Sequence, residues 1–155
     1  MNVNRSYWLL KTEAHEYSWS DLSRESEEIW DGVKAPGAIK NIKKMKPGDL
    51  TFIYHSGRER SIIGLAEIIS LPYLDPHSGE MVFKLRALEK LPKGISLKQI
   101  KDSGMFADWD LVRLPRLSVV PVNQVQWDTI LKWAYDALPG SDSSLKSIPI
   151  KPGTK

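Results

Sequence analysis

The sequence contains no cysteine among its 155 residues. Disulfide frameworks and thiolate metal sites are therefore excluded, and the composition suits a reducing compartment. The first residues lack the apolar run of a signal peptide, and no stretch reaches the roughly 18 uninterrupted apolar residues of a membrane span. These absences predict a soluble protein with a cytoplasmic location and no membrane partner.

Signatures of catalysis and cofactor binding are also scarce. The three histidines, His15, His55 and His77, lie far apart, and neither a His-Glu-x-x-His helix nor a glycine-rich phosphate loop occurs. His55 and Ser56 are adjacent, but neighbours on a strand point to opposite faces, which disfavours a nucleophile–base pair. Two alternatives remain for them: a strand end with satisfied polar groups, or contact with a ligand at a pocket mouth. We predict no metal, no cofactor and no enzymatic activity.

Length and charge indicate one domain with a local basic face. Residues 1–138 are predicted to form the domain, and residues 139–155, rich in Ser, Pro, Gly and Lys, a flexible tail. The net charge is only +3, but residues 13–31 carry seven acidic residues and residues 34–46 carry none. The second segment carries the lysines that we expect to bind a phosphate backbone: Lys34, Lys40, Lys43 and Lys44.

The hydrophobic pattern predicts a mixed α+β fold. Strands are expected at residues 7–11, 50–55, 61–69, 81–91 and 117–122, and short helices at 18–24, 38–45 and after Ser96. A long C-terminal helix is expected after Asn123, with one apolar stripe formed by Trp127, Ile130, Leu131, Ala134, Tyr135 and Leu138. Strands joined by short turns favour a mostly antiparallel barrel over a doubly wound sheet.

Trp30 is the aromatic residue with the most informative neighbours. The run Trp30-Asp31-Gly32-Val33 is followed at once by the lysine-bearing segment. A ring that stacks on a nucleobase contributes about 1–3 kcal/mol per base, while nearby lysines neutralise phosphates. The residues alone leave two interpretations of Trp30 open: base binding and ordinary core packing.

Several motifs together carry a resemblance to a known family. In chain order they are Tyr7-Trp8-Leu9-Leu10-Lys11-Thr12-Glu13, Trp30-Asp31-Gly32-Val33, Lys46-Pro47-Gly48-Asp49, Tyr54-His55-Ser56, Gly64-Leu65-Ala66-Glu67, Tyr73-Leu74-Asp75-Pro76, Leu111-Val112-Arg113 and Arg116-Leu117-Ser118-Val119-Val120-Pro121-Val122. The sequence resembles the EVE domain family from about residue 6 to about residue 134.

The resemblance implies a PUA-like pseudo-β-barrel that binds nucleic acid without catalysis. The resemblance also implies binding of modified bases, notably cytosine altered at its fifth ring carbon, in DNA or RNA. The resemblance assigns the following residues to the base pocket: Lys11, Thr12, Trp30, Gly32, Val33, Tyr54, His55, Ser56, Arg116, Leu117 and Ser118. We expect a monomer that takes a flipped base between an aromatic wall and polar groups.

The chain departs from the family pattern after Val33. Ala35 and Gly37 stand where the family has amide side chains, and Ile39 stands where it has an arginine. Amides and arginines supply paired or bidentate hydrogen bonds, so this segment offers fewer of them. Two other functions are therefore kept as alternatives: a protein–protein adaptor with a degenerate pocket, and an RNA-modification or nucleotide-processing enzyme built around His55.

Overall fold

Residues 5–136 are described by a computed structural model and contain seven strands and five helices. The elements are β1 (Tyr7–Glu13), α1 (Trp19–Ser23), β2 (Glu28–Trp30), α2 (Pro36–Ile42), β3 (Leu50–Ser56), β4 (Ser61–Ile68), β5 (Tyr73–Leu74), β6 (Met81–Ser96), α3 (Leu97–Asp102), α4 (Asp110–Arg113), β7 (Val119–Val122) and α5 (Gln124–Asp136). The predicted tail, residues 139–155, lies outside the described residues.

The strands form one curled, mixed sheet in the order β2-β6-β4-β3-β1-β7, with β5 paired to β6. The β1–β3 pair is parallel, and the remaining pairs are antiparallel. The 16-residue strand β6 pairs with β2, β4 and β5, and its register against β4 shifts twice. Such irregularities bend a strand and let a sheet curl. The sheet path ends at β2 and at β7, so a seam remains between these two strands.

Apolar side chains on opposite faces of the sheet form two core clusters. Alternation along β1 sends Leu9 into the cluster that packs against α5, and Trp8 and Leu10 into the cluster that includes Trp19 and Trp30. The sheet is therefore covered on both faces, and its central strand β3 is buried at six of seven positions.

The predicted fold class is confirmed: an α+β, PUA-like pseudo-barrel with mostly antiparallel strands and short helices. Two local predictions also hold. Ser18 and Asp21 form a complete capping box at α1, and Ser96 accepts a hydrogen bond from the Gln99 N–H at α3.

The prediction of a long C-terminal helix is wrong. Helix α5 has 13 residues, which is an ordinary length, although its predicted stripe is buried from Trp127 to Tyr135. Asn123 and Gln126 exchange two hydrogen bonds of 2.8 Å at its start, as their spacing predicts. Fewer than four turns suffice to cover the sheet, and Leu138 lies outside the described residues.

Several boundaries differ from the sequence prediction. Helix α2 begins at Pro36, because proline suits the first helical position, and its buried residues are Ala38 and Ile42, with Ile39 only partly buried. Strand β6 continues five residues beyond Leu91, while β2, β5 and α4 were not predicted at all. The three missed elements have at most four residues each, too few for a periodic pattern to be recognised.

Candidate functional site

A pocket of about 360 Å³ lies at the seam of the curled sheet. Its lining comes from the end of β1, the loop that follows, strand β2 and Ser118 next to β7: Lys11, Thr12, Glu13, Glu16, Tyr17, Glu28, Ile29, Trp30, Asp31, Gly32, Val33 and Ser118. We call this the seam pocket. Its position follows from the topology, because Lys11 is the last β1 residue bonded to the β7 side, through Ser118.

Two aromatic residues meet at the seam pocket. Trp30 is 7% exposed and belongs to a core cluster, so most of its surface is already packed by protein. Its ring lies edge-on to Tyr17, with centroids 6.2 Å apart and an interplanar angle of 82°. Trp30 therefore packs in the core and also lines the pocket.

The Tyr17 hydroxyl is buried beside the Glu28 carboxylate. Within residues 5–136 it forms no hydrogen bond of full geometry, but Glu28 is close enough to act as its acceptor. Thr12 donates to the Tyr17 carbonyl at 2.7 Å and so fixes the loop that carries this tyrosine. Burial raises the pKa of Tyr17 to about 12, helped by Glu28 and other nearby carboxylates.

Carboxylates dominate the charge of the seam pocket. Glu13, Glu16, Glu28 and Asp31 line it together with one amine, that of Lys11. Burial, with Glu25 and Asp31 nearby, raises the pKa of Glu28. Burial lowers the pKa of Lys11, whose Nζ donates to the Pro115 carbonyl at 2.9 Å. A lining of this kind accepts hydrogen bonds from donor-rich ligands and repels phosphate.

Some of the predicted pocket residues converge on this site. Six of them line the seam pocket: Lys11, Thr12, Trp30, Gly32, Val33 and Ser118. Gly32 has a φ of +78°, a conformation that favours glycine, and its N–H donates to Glu80 at 2.9 Å. The predicted residues that converge thus come from three separate segments of the chain.

The Tyr54-His55-Ser56 segment lies beside the seam pocket but does not line it. Tyr54 is 3% exposed, and its ring lies 5.7 Å below the Lys11 amine. His55 is buried; its Nε2 accepts the Trp19 backbone N–H at 2.9 Å, and its Nδ1 is paired with Glu59. Both ring nitrogens are therefore engaged, which leaves the imidazole without a free nitrogen for acid–base chemistry.

Arg116 and Leu117 also lie outside the lining of the seam pocket. Arg116 is exposed, and Leu117 is partly buried against both core clusters. Leu117 also lies at ordinary van der Waals distance, 3.6 Å, from the position a Cβ would take at Gly37. It thus helps to hold α2 against the sheet.

The predicted backbone-binding lysines lie on and around α2. Lys34, Lys40, Lys43 and Lys44 are all exposed. Lys34 and Lys43 border a second cavity of about 450 Å³, which adjoins the seam pocket at Val33. Lys34 is 3.8 Å from a Glu80 carboxylate oxygen, a weak exposed pair.

Sequence reasoning missed the carboxylates and Tyr17. The available signal was the acidic segment of residues 13–31, which supplies all four carboxylates of the lining. Within residues 5–136, no three His, Asp or Glu side chains are grouped to hold a metal ion. No helix in that range is long and apolar enough to span a membrane.

A curled mixed sheet with a small pocket at its open seam is the architecture of a PUA-like domain. The chain belongs to the EVE domain family, whose family model matches residues 6–133. Mouse thymocyte nuclear protein 1 is a curated relative with 27% identity over an alignment 163 positions long. The alignment covers 81% of this chain and 72% of the mouse protein.

Solved structures agree with the family membership. The structure of a Rhodopseudomonas palustris protein, Rpa0253, is 33% identical and matches with a TM-score of 0.80, covering 86% of this chain and 95% of that one. Human THYN1 in complex with DNA containing 5-methylcytosine is 24% identical, with a TM-score of 0.75 and coverage of 83% and 97%.

The comparison corrects the expected location. The curated relatives in mouse, rat and human are named as nuclear proteins, which contradicts the cytoplasmic prediction. That prediction used the absence of a signal peptide and of a membrane span. Neither absence distinguishes the cytoplasm from the nucleus, because both compartments are reached without these segments.

Proposed function

We propose that this chain is a non-enzymatic nucleic-acid binder that takes a modified or flipped base into the seam pocket, with 5-substituted cytosine as the preferred base. The observation that carries the proposal is the pocket itself. It has the size of a small-ligand site and joins an aromatic wall to hydrogen-bonding groups. An extruded base needs both features, a stacking surface and polar groups that read its edge.

The polar groups of the pocket suit an aminopyrimidine. Cytosine presents an exocyclic amine, which donates hydrogen bonds, and carbonyl and ring-nitrogen acceptors. The carboxylates of the lining are acceptors for that amine, and the Tyr17 hydroxyl, which lies beside Glu28, is the proposed donor for an acceptor on the ring. A uracil or thymine would turn a carbonyl towards the carboxylates instead.

Phosphate groups belong outside the pocket in this proposal. The exposed lysines Lys34, Lys40, Lys43 and Lys44 border the adjoining cavity or lie on α2 beside it, and they are proposed to neutralise the strand on that side. The DNA in the human THYN1 complex supports a nucleic-acid partner for a domain of this fold. We propose that the domain binds the nucleic acid as a monomer.

The engaged ring of His55 disfavours the enzymatic alternative. A general base must reach the proton it removes through an available nitrogen. No specific feature of the described residues favours the adaptor alternative. We therefore retain base binding as the function.

The test is a comparison of two oligonucleotides that differ only in one 5-methylcytosine. The wild-type chain should bind the modified strand more tightly in a fluorescence anisotropy titration. Tyr17→Phe removes the hydroxyl and keeps the ring, and we expect it to weaken binding roughly two- to tenfold, the effect of one lost hydrogen bond. Equal affinity of the wild type for both strands would contradict the proposal.

Trp30 needs a gentler substitution because it is also a core residue. Trp30→Ala is expected to cost about 3–5 kcal/mol of stability and could unfold the domain. Trp30→Phe retains an aromatic ring and should reduce the preference for the modified strand while the chain remains folded. Trp133→Phe, on α5 and outside the pocket lining, is the matched control and should leave the preference unchanged.

A further inference from the structure

A second polar groove lies between the β3–β4 turn and α3. It has a volume of about 420 Å³ and is lined by Arg58, Glu59, Arg60, Ser96, Leu97, Lys98, Lys101 and Asp102. We call it the hairpin groove. Two backbone links hold its walls together: Ser61 pairs with Ser96, and the Leu97 N–H donates to the Arg60 carbonyl at 2.8 Å.

The hairpin groove carries a net positive charge, because four cations, Arg58, Arg60, Lys98 and Lys101, line it with only two carboxylates, Glu59 and Asp102. Asp102 is paired with Lys98 at 2.7 Å, and Glu59 is hydrogen-bonded to His55. Arg58, Arg60 and Lys101 are exposed and form no salt bridge within the described part of the chain. A concave surface with several unpaired cations raises the local concentration of anions.

The groove adjoins the seam pocket through the parallel β1–β3 pair. Glu13, a lining residue of the seam pocket, is paired in register with Ser56, immediately before the turn. A Cβ placed at Gly57 would lie 2.6 Å from a Glu13 carboxylate oxygen, so the turn passes directly beside the pocket. Gly57 has a φ of +80°, which allows that close approach.

Two cations lie near Tyr54, beside the seam pocket. Lys11 of the seam pocket lies over the Tyr54 ring at 5.7 Å. Burial raises the pKa of Tyr54, and the nearby Arg60 guanidinium offsets part of that rise. Lys11 of the seam pocket and Arg60 of the hairpin groove are therefore both near this tyrosine.

We propose that the hairpin groove binds the phosphate backbone of the strand whose base enters the seam pocket, with Arg58, Arg60 and Lys101 as the contacting residues. This assignment rests on the proposed function and adds a second phosphate site to the lysines around α2. The carboxylates of the seam pocket exclude phosphate from the pocket itself, so the strand must find its cations beside it. The groove supplies them on the β3 side.

The experiment measures salt dependence with an oligonucleotide and with an abasic deoxyribose-phosphate strand of the same length. Binding is titrated between about 50 and 200 mM salt, and each phosphate contact to a single strand contributes about 0.7 to the slope of log K against log salt. The double variant Arg58→Gln/Arg60→Gln should reduce the slope by about 1.4 for both strands. The shorter glutamines remain polar but carry no charge, and the Arg60 carbonyl stays in place.

A matched double variant controls for net charge. Lys90→Gln/Lys132→Gln removes the same charge from β6 and α5, outside the lining of both sites, and should leave the slope unchanged. Circular dichroism melts establish that each variant is folded. An equal effect of the two double variants, or an unchanged slope in Arg58→Gln/Arg60→Gln, overturns the assignment of the hairpin groove.

The two strands separate this inference from the proposed function. Suppose that the abasic strand binds through Arg58 and Arg60 but that 5-methylcytosine does not increase the affinity. The assignment of the hairpin groove is then supported, and the proposal of a base pocket is contradicted. Suppose instead that 5-methylcytosine increases the affinity but that neither arginine affects the slope of log K against log salt. The base pocket is then supported, and the assignment of the hairpin groove is contradicted. Absence of binding to either strand overturns both.

Discussion

His55 accepts the backbone N–H of Trp19 through Nε2 at 2.9 Å, across 36 residues of sequence. This bond ties the start of α1 to the end of β3, and both partners are buried. His55→Ala would leave the Trp19 N–H without a partner, so we expect a loss of about 1–3 kcal/mol in the free energy of unfolding. Urea denaturation measures it.

The same substitution tests the enzymatic alternative. Glu59→Gln removes the carboxylate paired with His55 but keeps the bond to Trp19, and it is the matched control. We expect Glu59→Gln to lower stability less than His55→Ala. A stable His55→Ala protein that had lost a catalytic activity would contradict the structural role.

The Trp19 ring leaves no space for a side chain at Gly64. A Cβ at Gly64 would lie 2.6 Å from two ring carbons, far inside van der Waals contact, and the ring is itself buried. Gly64→Ala should therefore destabilise the fold by about 1–3 kcal/mol through overpacking. Gly37→Ala is the control, since its Cβ would lie at an ordinary 3.6 Å from Leu117. Thermal denaturation of the two variants, compared with wild type, tests the difference.

Asp49 organises the turn that precedes β3. It is completely buried and accepts hydrogen bonds of 3.0 Å from the Ser6 N–H, from the Trp8 indole and from the Lys46 amine. Asp49→Asn turns an NH₂ group towards at least one of these donors, and we expect a loss of about 1–3 kcal/mol, the cost of a buried donor left unpaired.

The control for Asp49 is an exposed ion pair. Lys132 and Asp136 are 3.3 Å apart on the surface of α5, and Asp136→Asn should change stability by less than about 1 kcal/mol. Chemical denaturation of both variants at one pH gives the comparison. Similar losses of stability in the two variants would contradict the expected effect of burial at Asp49.

Glu28 should make stability depend on pH. Burial raises the pKa of its carboxyl in the folded chain, so the folded state holds the proton more tightly than the unfolded state. The stability associated with this group is therefore full below the unfolded-state pKa and is lost as the pH rises through the folded-state pKa. Glu28→Gln should be more stable than wild type at neutral pH, and the difference should shrink in acid.

Denaturant midpoints at neutral pH and below the ordinary range of glutamate test this prediction. Glu27→Gln, at an exposed neighbouring position, serves as the control and should differ little from wild type at either pH. A stability gap between Glu28→Gln and wild type that widened in acid would contradict a raised pKa at Glu28.

Local chemistry explains which elements could be predicted. The Ser18–Asp21 and Asn123–Gln126 pairs are three-residue spacings whose hydrogen bonds form within one helical turn, so the sequence displays them directly. The stripe from Trp127 to Tyr135 is likewise a local periodicity. The three-residue strand β2 has no such pattern, because β6, more than 50 residues away, holds it in the sheet.

The base-pocket residues were predicted from family motifs, and six of those eleven line the seam pocket. Tyr54, His55 and Ser56 follow one another in a motif, yet a strand turns successive side chains to opposite faces. Motif membership therefore could not decide which of them reaches the pocket. The acidic lining was hidden for a related reason, since Glu13 and Glu28 come together only across the seam.

The sequence by itself determined the family, the class of fold, the helix caps and the apolar faces, because each depends on residue identities at short fixed spacings. Only the tertiary structure decided that both ring nitrogens of His55 are engaged and that four carboxylates face one amine in the seam pocket. It also decided that Arg58, Arg60 and Lys101 share one groove. Such relationships depend on how a sheet curls, and pairings between distant segments set that curvature.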